Sequence, residues 1–135
     1  MMREPLFANA PLFDIEHIKK INSVINDNLV EAKDKPDQDA IKSSQVKFVH
    51  LRSIQNLILP FLDFVFTANN NYFGFDLFQL TGSKILNYNT YNPGEEYTWH
   101  IDANMSSPVR DIKLTCLLNC SESNYEGGDL CLFRE

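Results

Sequence analysis

The sequence predicts an α+β fold, an antiparallel sandwich or jelly roll (double-stranded β-helix) with N-terminal packing helices. Two observations predict this fold. Apolar side chains recur at helical spacing in the first half, and after residues 68–71 (ANNN) short runs rich in aromatic and branched residues are separated by turn sequences. At 135 residues we expect one domain, 1–135, with a helical part over about 1–72 and a β part over about 73–135.

Composition excludes several classes of protein. A hydrophobic content of 44% with ten Phe residues is far from that of a disordered chain, so the chain is expected to fold. The net charge of -6, without a cluster of Lys or Arg, argues against nucleic acid or an anionic membrane as a partner. Three cysteines and a start without a secretion signal favour a reducing, cytoplasmic setting.

Two helices are predicted in the first half. Asp14 can cap a helix with apolar positions three and four residues apart, and four polar residues are expected on its opposite side: Lys19, Lys20, Asn22 and Asn26. A polar loop is expected at 33–39. A second helix is expected from Ser53, with Pro60 either kinking it or marking its first turns. Between them, residues 46–50 alternate as in a short strand.

The second half is predicted to be extended. Its five apolar runs are separated by the turn sequences TGS, NPGEE, NMSSP and SESNYEGG. These predicted strands cover residues 73–80, 84–91, 97–102, 111–119 and 128–133.

The run YTWHID contains a candidate metal site. In a strand alternate side chains share a face, so His100 and Asp102 would project together, while Trp99 is expected on the opposite side in the core. One imidazole and one carboxylate, completed by a second imidazole, form the facial site of non-haem Fe(II) oxygenases. His-x-Asp alone is a weak signal, and the alternative is a partly exposed histidine beside a strand-ending aspartate.

An ordered series of residues surrounds this pair and carries a family resemblance. It comprises Tyr91, Gly94, Tyr97, His100, Asp102, Arg110, Leu118, Asn119, Gly127 and Gly128. On these residues the region 84–133 resembles the front half of iron- and 2-oxoglutarate-dependent dioxygenases of the prolyl 4-hydroxylase type, especially PKHD-type hydroxylases. The resemblance implies an enzyme that hydroxylates a C–H bond of a peptidyl residue, prolyl among the candidates, or of a small molecule.

The resemblance also implies roles for individual residues. His100 and Asp102 become iron ligands. Tyr91, Tyr97 and Thr115 become candidates for binding 2-oxoglutarate, and ascorbate is a further cofactor that the family admits. For the tyrosines the alternative is aromatic packing across strands. Arg110 would either pair with Asp102 or lie in solvent.

Two parts of the family pattern are missing from these 135 residues. They are a second histidine, which would be the third iron ligand, and a cation for the far carboxylate of 2-oxoglutarate. We expect His17 to face solvent and His50 to be a satisfied, partly buried histidine. The expectation is therefore a dioxygenase domain truncated at its C-terminal side, with an incomplete sheet and weak iron binding by two ligands.

Two rival interpretations remain, and both would leave a folded domain. One is a noncatalytic jelly-roll interaction domain that retains a remnant of the metal motif. The other is a cupin-like metal site, which ordinarily uses several closely spaced histidines that this chain lacks. A jelly roll without its last strands would also expose sheet edges, through which an oligomer could form.

Overall fold

The computed structural model describes residues 7–31, 44–102 and 112–133 and confirms a mixed helix and strand fold. The loop predicted at 33–39 lies outside the described residues. The elements, in chain order, are helix α1 (Ile15–Asp27), strands β1 (Leu29–Val30) and β2 (Gln45–His50), helices α2 (Leu51–Ile54) and α3 (Leu59–Ala68), a π-helical turn (Asn69–Phe73) and strand β3 (Ile85–Thr90).

Helix α1 begins where the sequence predicts. The carboxylate of Asp14 accepts a hydrogen bond from the His17 backbone N–H at 2.8 Å, which satisfies one of the free donors of the first turn. The apolar face of the helix is buried, and Ile21 is fully inaccessible to solvent. Asn22 was predicted on the polar side, and this is wrong. It lies on the buried face, only 7% exposed, because its side chain has partners there.

The second predicted helix is two helices. Helix α2 ends at Ile54, a turn follows in which the Leu57 N–H donates to the Ile54 carbonyl oxygen at 2.9 Å, and α3 begins at Leu59. Pro60 occupies the first turn of α3. Proline has no N–H to donate and its ring would clash with the preceding turn, so a continuous helix through this position is disfavoured.

The sheet has three antiparallel strands in the order β1-β2-β3. The strand expected at 46–50 is confirmed as β2, and Val49 in it is 1% exposed and pairs with Leu29 on one side and Leu86 on the other. His50 is half-buried, and its Nδ1 donates to the Ser83 carbonyl oxygen at 3.2 Å. The prediction of a satisfied, partly buried His50 is confirmed.

Residues 73–80 were predicted to form a strand, and this is wrong. The π-helical turn extends through Phe73 and ends at Gly74, whose φ of 68° lies in the left-handed region. The side chain of Asn69 then takes both backbone groups of Phe75, accepting from its N–H at 3.1 Å and donating to its carbonyl oxygen at 2.8 Å. These are groups that a neighbouring strand would otherwise use.

The later predicted strands have mixed outcomes. Residues 84–91 contain β3, as expected. Regular strand pairing is absent from the described residues of the segments 97–102, 111–119 and 128–133, apart from a single bridge at Tyr97. The described sheet is therefore small and open. No helix in the described part of the chain is long and apolar enough to cross a membrane.

The hydrogen bonds of one side chain, Asn22, attach residues 118–122 to α1. The amide nitrogen of Asn22 donates to the Cys120 carbonyl oxygen and to Glu122 Oε1, both at 2.8 Å, while its amide oxygen accepts from the Tyr88 hydroxyl at 3.1 Å. Leu118 packs against the same apolar core. Residues 118–122 are thus held on α1 although they pair with no strand of the sheet.

Candidate metal centre

A tight turn leads from β3 into the candidate site. In the sequence Asn92–Pro93–Gly94–Glu95, the Glu95 N–H donates to the Asn92 carbonyl oxygen at 2.9 Å, and Gly94 has a φ of 85°. Proline second and a left-handed glycine third are typical of a type II turn. The Glu95 carboxylate closes the turn by accepting from the Asn92 N–H at 2.7 Å. The chain direction into residues 97–102 is therefore set locally.

The structure brings together the two side chains that the sequence singled out. His100 Nε2 lies 3.0 Å from Asp102 Oδ1. The His100 side chain is 26% exposed and that of Asp102 is 43% exposed, so the pair lies at the surface. The i, i+2 spacing achieves this although residues 99–102 are not in a regular strand.

The separation of these two atoms fits a shared metal ion. Imidazole nitrogen and carboxylate oxygen bind first-row metals at about 2.0–2.2 Å, and neighbouring ligands in an octahedral set are about 90° apart. Two such ligand atoms lie about 3 Å from each other. The 3.0 Å between His100 Nε2 and Asp102 Oδ1 is that of a direct hydrogen bond, and it is also suitable for adjacent ligands of one ion.

The other ring nitrogen of His100 is also engaged. Its Nδ1 lies 2.7 Å from the Thr98 carbonyl oxygen, which can only accept, so Nδ1 carries the proton. At 3.0 Å from the Asp102 carboxylate, Nε2 must also carry a proton to make a favourable contact, and a metal ion bound to both side chains would take the place of that proton. The Tyr97 ring stacks on the imidazole, with centroids 3.6 Å apart and planes 14° apart, and so restricts its rotation.

Asp102 has a second partner, Thr115. The Thr115 hydroxyl donates to Asp102 Oδ2 at 2.5 Å, while Oδ1 faces His100. The two carboxylate oxygens therefore have different environments. Thr115, which the resemblance assigned to 2-oxoglutarate, contacts the candidate metal ligand directly.

The remaining sequence candidates lie apart from this cluster. Tyr91 follows β3 and is 45% exposed, and no hydrogen bond or ring stacking between described residues joins it to His100, Asp102 or Thr115. Arg110 lies outside the described residues. Trp99 was expected in the core, and this is wrong. It is 71% exposed because no strand among the described residues covers its side of the segment.

His17 was expected to face solvent, and its ring instead has two partners. The ring stacks on Phe13 with centroids 4.6 Å apart, and its Nε2 donates to the Leu57 carbonyl oxygen at 2.6 Å. These contacts link α1 to the turn between α2 and α3. Both other histidines of the chain are therefore engaged in backbone hydrogen bonds away from His100.

Within the described ranges, no group of three or more His, Cys, Asp or Glu side chains is arranged to hold a metal ion. His100 and Asp102 are thus a pair rather than a complete set. A cleft of about 670 Å³ lies elsewhere, between the N-terminal segment, α3 and residues 117–125, and neither His100 nor Asp102 lines it.

The sequence did not predict the hydrogen-bonding roles of two groups, the Thr98 carbonyl oxygen and the Asn22 side chain. The Thr98 carbonyl oxygen has no signal in the sequence, since every residue carries one. Asn22 did have a signal, because it lies four residues after Ile18 and three before Ile25 on the buried stripe. A polar residue at such a position predicts a buried hydrogen-bonding role.

Comparison with known proteins identifies no relative. The chain matches no protein-family model, no curated protein and no solved structure.

Proposed function

We propose that this chain carries part of the site of an Fe(II)- and 2-oxoglutarate-dependent dioxygenase that hydroxylates a C–H bond of a peptidyl residue or of a small molecule. One observation carries the proposal: His100 Nε2 and Asp102 Oδ1 lie 3.0 Å apart, and the remaining polar atom of each side chain is held by a partner of its own. Such partners orient the ligands of metal sites and favour the tautomer that binds.

The metal with its cosubstrate and the protein would have different roles in this site. Fe(II) together with 2-oxoglutarate supplies the oxidising chemistry when bound. The protein supplies two adjacent ligands and fixes their orientation through Thr98, Tyr97 and Thr115. Tyr91 and Tyr97 remain candidates for hydrogen bonding to 2-oxoglutarate, and ascorbate remains a candidate cofactor. A third ligand and a cation for the far carboxylate would have to join this pair.

The proposed architecture is a jelly roll in which the described sheet is one part. Its support is the antiparallel pairing of β2 with β3 and the position of α1 against that sheet. Residues 97–102, 112–119 and 128–133 would be further strands once they are paired. The edge of β3 and these extended segments would also be the surfaces through which an oligomer forms.

Titration with Co(II), a visible-absorbing substitute for Fe(II), tests this proposal. The intact chain should bind Co(II) weakly but saturably, and His100→Ala should abolish that binding. The matched control is His50→Asn, which keeps a donor near the position of Nδ1 and should bind like the parent chain. Equal binding by His100→Ala and the parent would overturn the proposal, as would no binding by the parent.

A noncatalytic interaction domain is the second candidate function. It is favoured by the exposure of large apolar side chains near the site and in the C-terminal segment, where Trp99, Ile101, Leu130 and Phe133 are each at least 71% exposed. Two measurements separate the candidates. Succinate release that requires added 2-oxoglutarate supports the dioxygenase, and Co(II) binding that is the same in His100→Ala and the parent chain supports the interaction domain.

A further inference from the structure

We propose that Thr115 is a positioning residue for the metal ligand Asp102, holding one carboxylate oxygen so that the other is presented beside His100. This inference rests on the proposed function. It assigns Thr115 a role different from the contact with 2-oxoglutarate that the family resemblance implies.

The hydrogen-bond geometry carries the inference. Thr115 Oγ1 lies 2.5 Å from Asp102 Oδ2, a length typical of a hydroxyl donating to an ionised carboxylate. Asp102 Oδ1 lies 3.0 Å from His100 Nε2. A hydroxyl on one oxygen and an imidazole beside the other fix the rotation of the carboxylate about its Cβ–Cγ bond.

The exposure of the site makes this hydrogen bond important. Asp102 is nearly half exposed, so packing against neighbouring side chains restrains it little. Without the Thr115 hydroxyl, water would replace one partner, and the carboxylate could turn to place either oxygen, or both, toward the ion. Metal binding would then have to fix the orientation of the carboxylate. The loss of its rotational freedom opposes binding and lowers the metal affinity.

The chain segment that carries Thr115 is anchored independently of the metal site. Five residues further on, the Cys120 carbonyl oxygen accepts from Asn22 on α1, and Leu118 packs on the core. Thr115 itself is exposed. The segment is therefore held in place by contacts that a substitution at Thr115 leaves intact.

A pair of substitutions tests the role. Thr115→Val keeps the shape of the side chain and removes the hydroxyl, and Thr115→Ser keeps the hydroxyl. Co(II) affinity should fall about 10- to 100-fold in Thr115→Val, the usual effect of removing a group that orients a metal ligand, and it should stay close to the parent value in Thr115→Ser. The visible spectrum of bound Co(II) should change in the valine variant, because a freed carboxylate alters the ligand geometry.

The outcomes separate this inference from the proposed function. If the parent chain binds Co(II) and Thr115→Val binds equally well with the same spectrum, the positioning role is wrong while the metal site stands. If the parent binds no Co(II), the proposed function fails and this inference fails with it. A purely structural role for Thr115 would lower the thermal unfolding midpoint of Thr115→Val without changing its Co(II) affinity or spectrum, and that result also overturns the inference.

Discussion

At the scale of single residues, hydrogen-bond partners decide what a polar side chain does. His100 is held on both ring nitrogens, and Asp102 on both carboxylate oxygens, so the orientation of each is set by named atoms. The pairing of these two residues could be predicted from their spacing. The roles of Thr98 and Thr115 could not, because a backbone carbonyl is common to all residues and the contact of Thr115 with Asp102 spans 13 residues of chain.

Tyr88 links the stability of the fold to pH. Burial, followed by its proximity to Cys120 and Glu122, raises the pKa of its phenol above the usual 10.0. The folded protein therefore holds this proton more tightly than the unfolded chain does. Its contribution to stability is complete below about pH 10 and is lost as the pH rises through the higher folded pKa.

The substitution Tyr88→Phe should separate this contribution from those of other groups. At neutral pH it should lower the free energy of unfolding by about 1 kcal/mol, since the hydrogen bond to Asn22 is lost. Above pH 10 the difference between parent and variant should shrink. The measurement is urea unfolding of both proteins at pH 7 and at two values above pH 10. A difference that stays constant or grows with pH would contradict the assignment.

At the scale of elements, periodicity and capping residues predicted α1 accurately, whereas a single helix was predicted where α2 and α3 lie. Helix α1 starts after Asp14, and Pro60 marks the start of α3. Strands were predicted less well, because a strand exists only when a partner supplies its hydrogen bonds. Residues 73–80 have strand-like composition, yet the side chain of Asn69 takes the backbone groups of Phe75. That competition depends on local geometry that composition does not reveal.

The cap of α1 provides a test at this scale. Asp14→Ala should destabilise the protein by about 1 kcal/mol, because the His17 N–H loses its acceptor. Asp14→Asn should cost much less, since asparagine caps helices about as well as aspartate. Thermal or urea unfolding compares the two variants. Equal losses in both would show that the charge of Asp14, rather than its hydrogen bond, stabilises the helix.

At the scale of the whole molecule, one polar side chain connects parts of the chain that are far apart in sequence. Asn22 joins α1 to Tyr88 on β3 and to residues 120 and 122, about 100 positions away. The buried face of α1 could be predicted from the spacing of its isoleucines, whereas the burial of Val49 and Leu51 was not predicted. The attachment of the C-terminal segment could not be predicted, because the position of Asn22 indicates a buried hydrogen-bonding role but not which residues far along the chain are its partners.

The exposed apolar side chains also belong to this scale. Leu130 and Phe133 are exposed at 71% and 77%, and no described strand covers them. In a jelly roll such side chains would face a second sheet. The proposed architecture therefore depends on pairing that residues 128–133 do not make within the described structure.

The central claim is that His100 and Asp102 bind one and the same metal ion, and a double-mutant cycle of Co(II) affinity tests it most directly. If both side chains hold one ion, His100→Ala, Asp102→Ala and the double variant should all bind at the same weak background level, so that the losses in binding free energy are far from additive. Losses that add in the double variant, or single variants that bind like the parent chain, would contradict the claim.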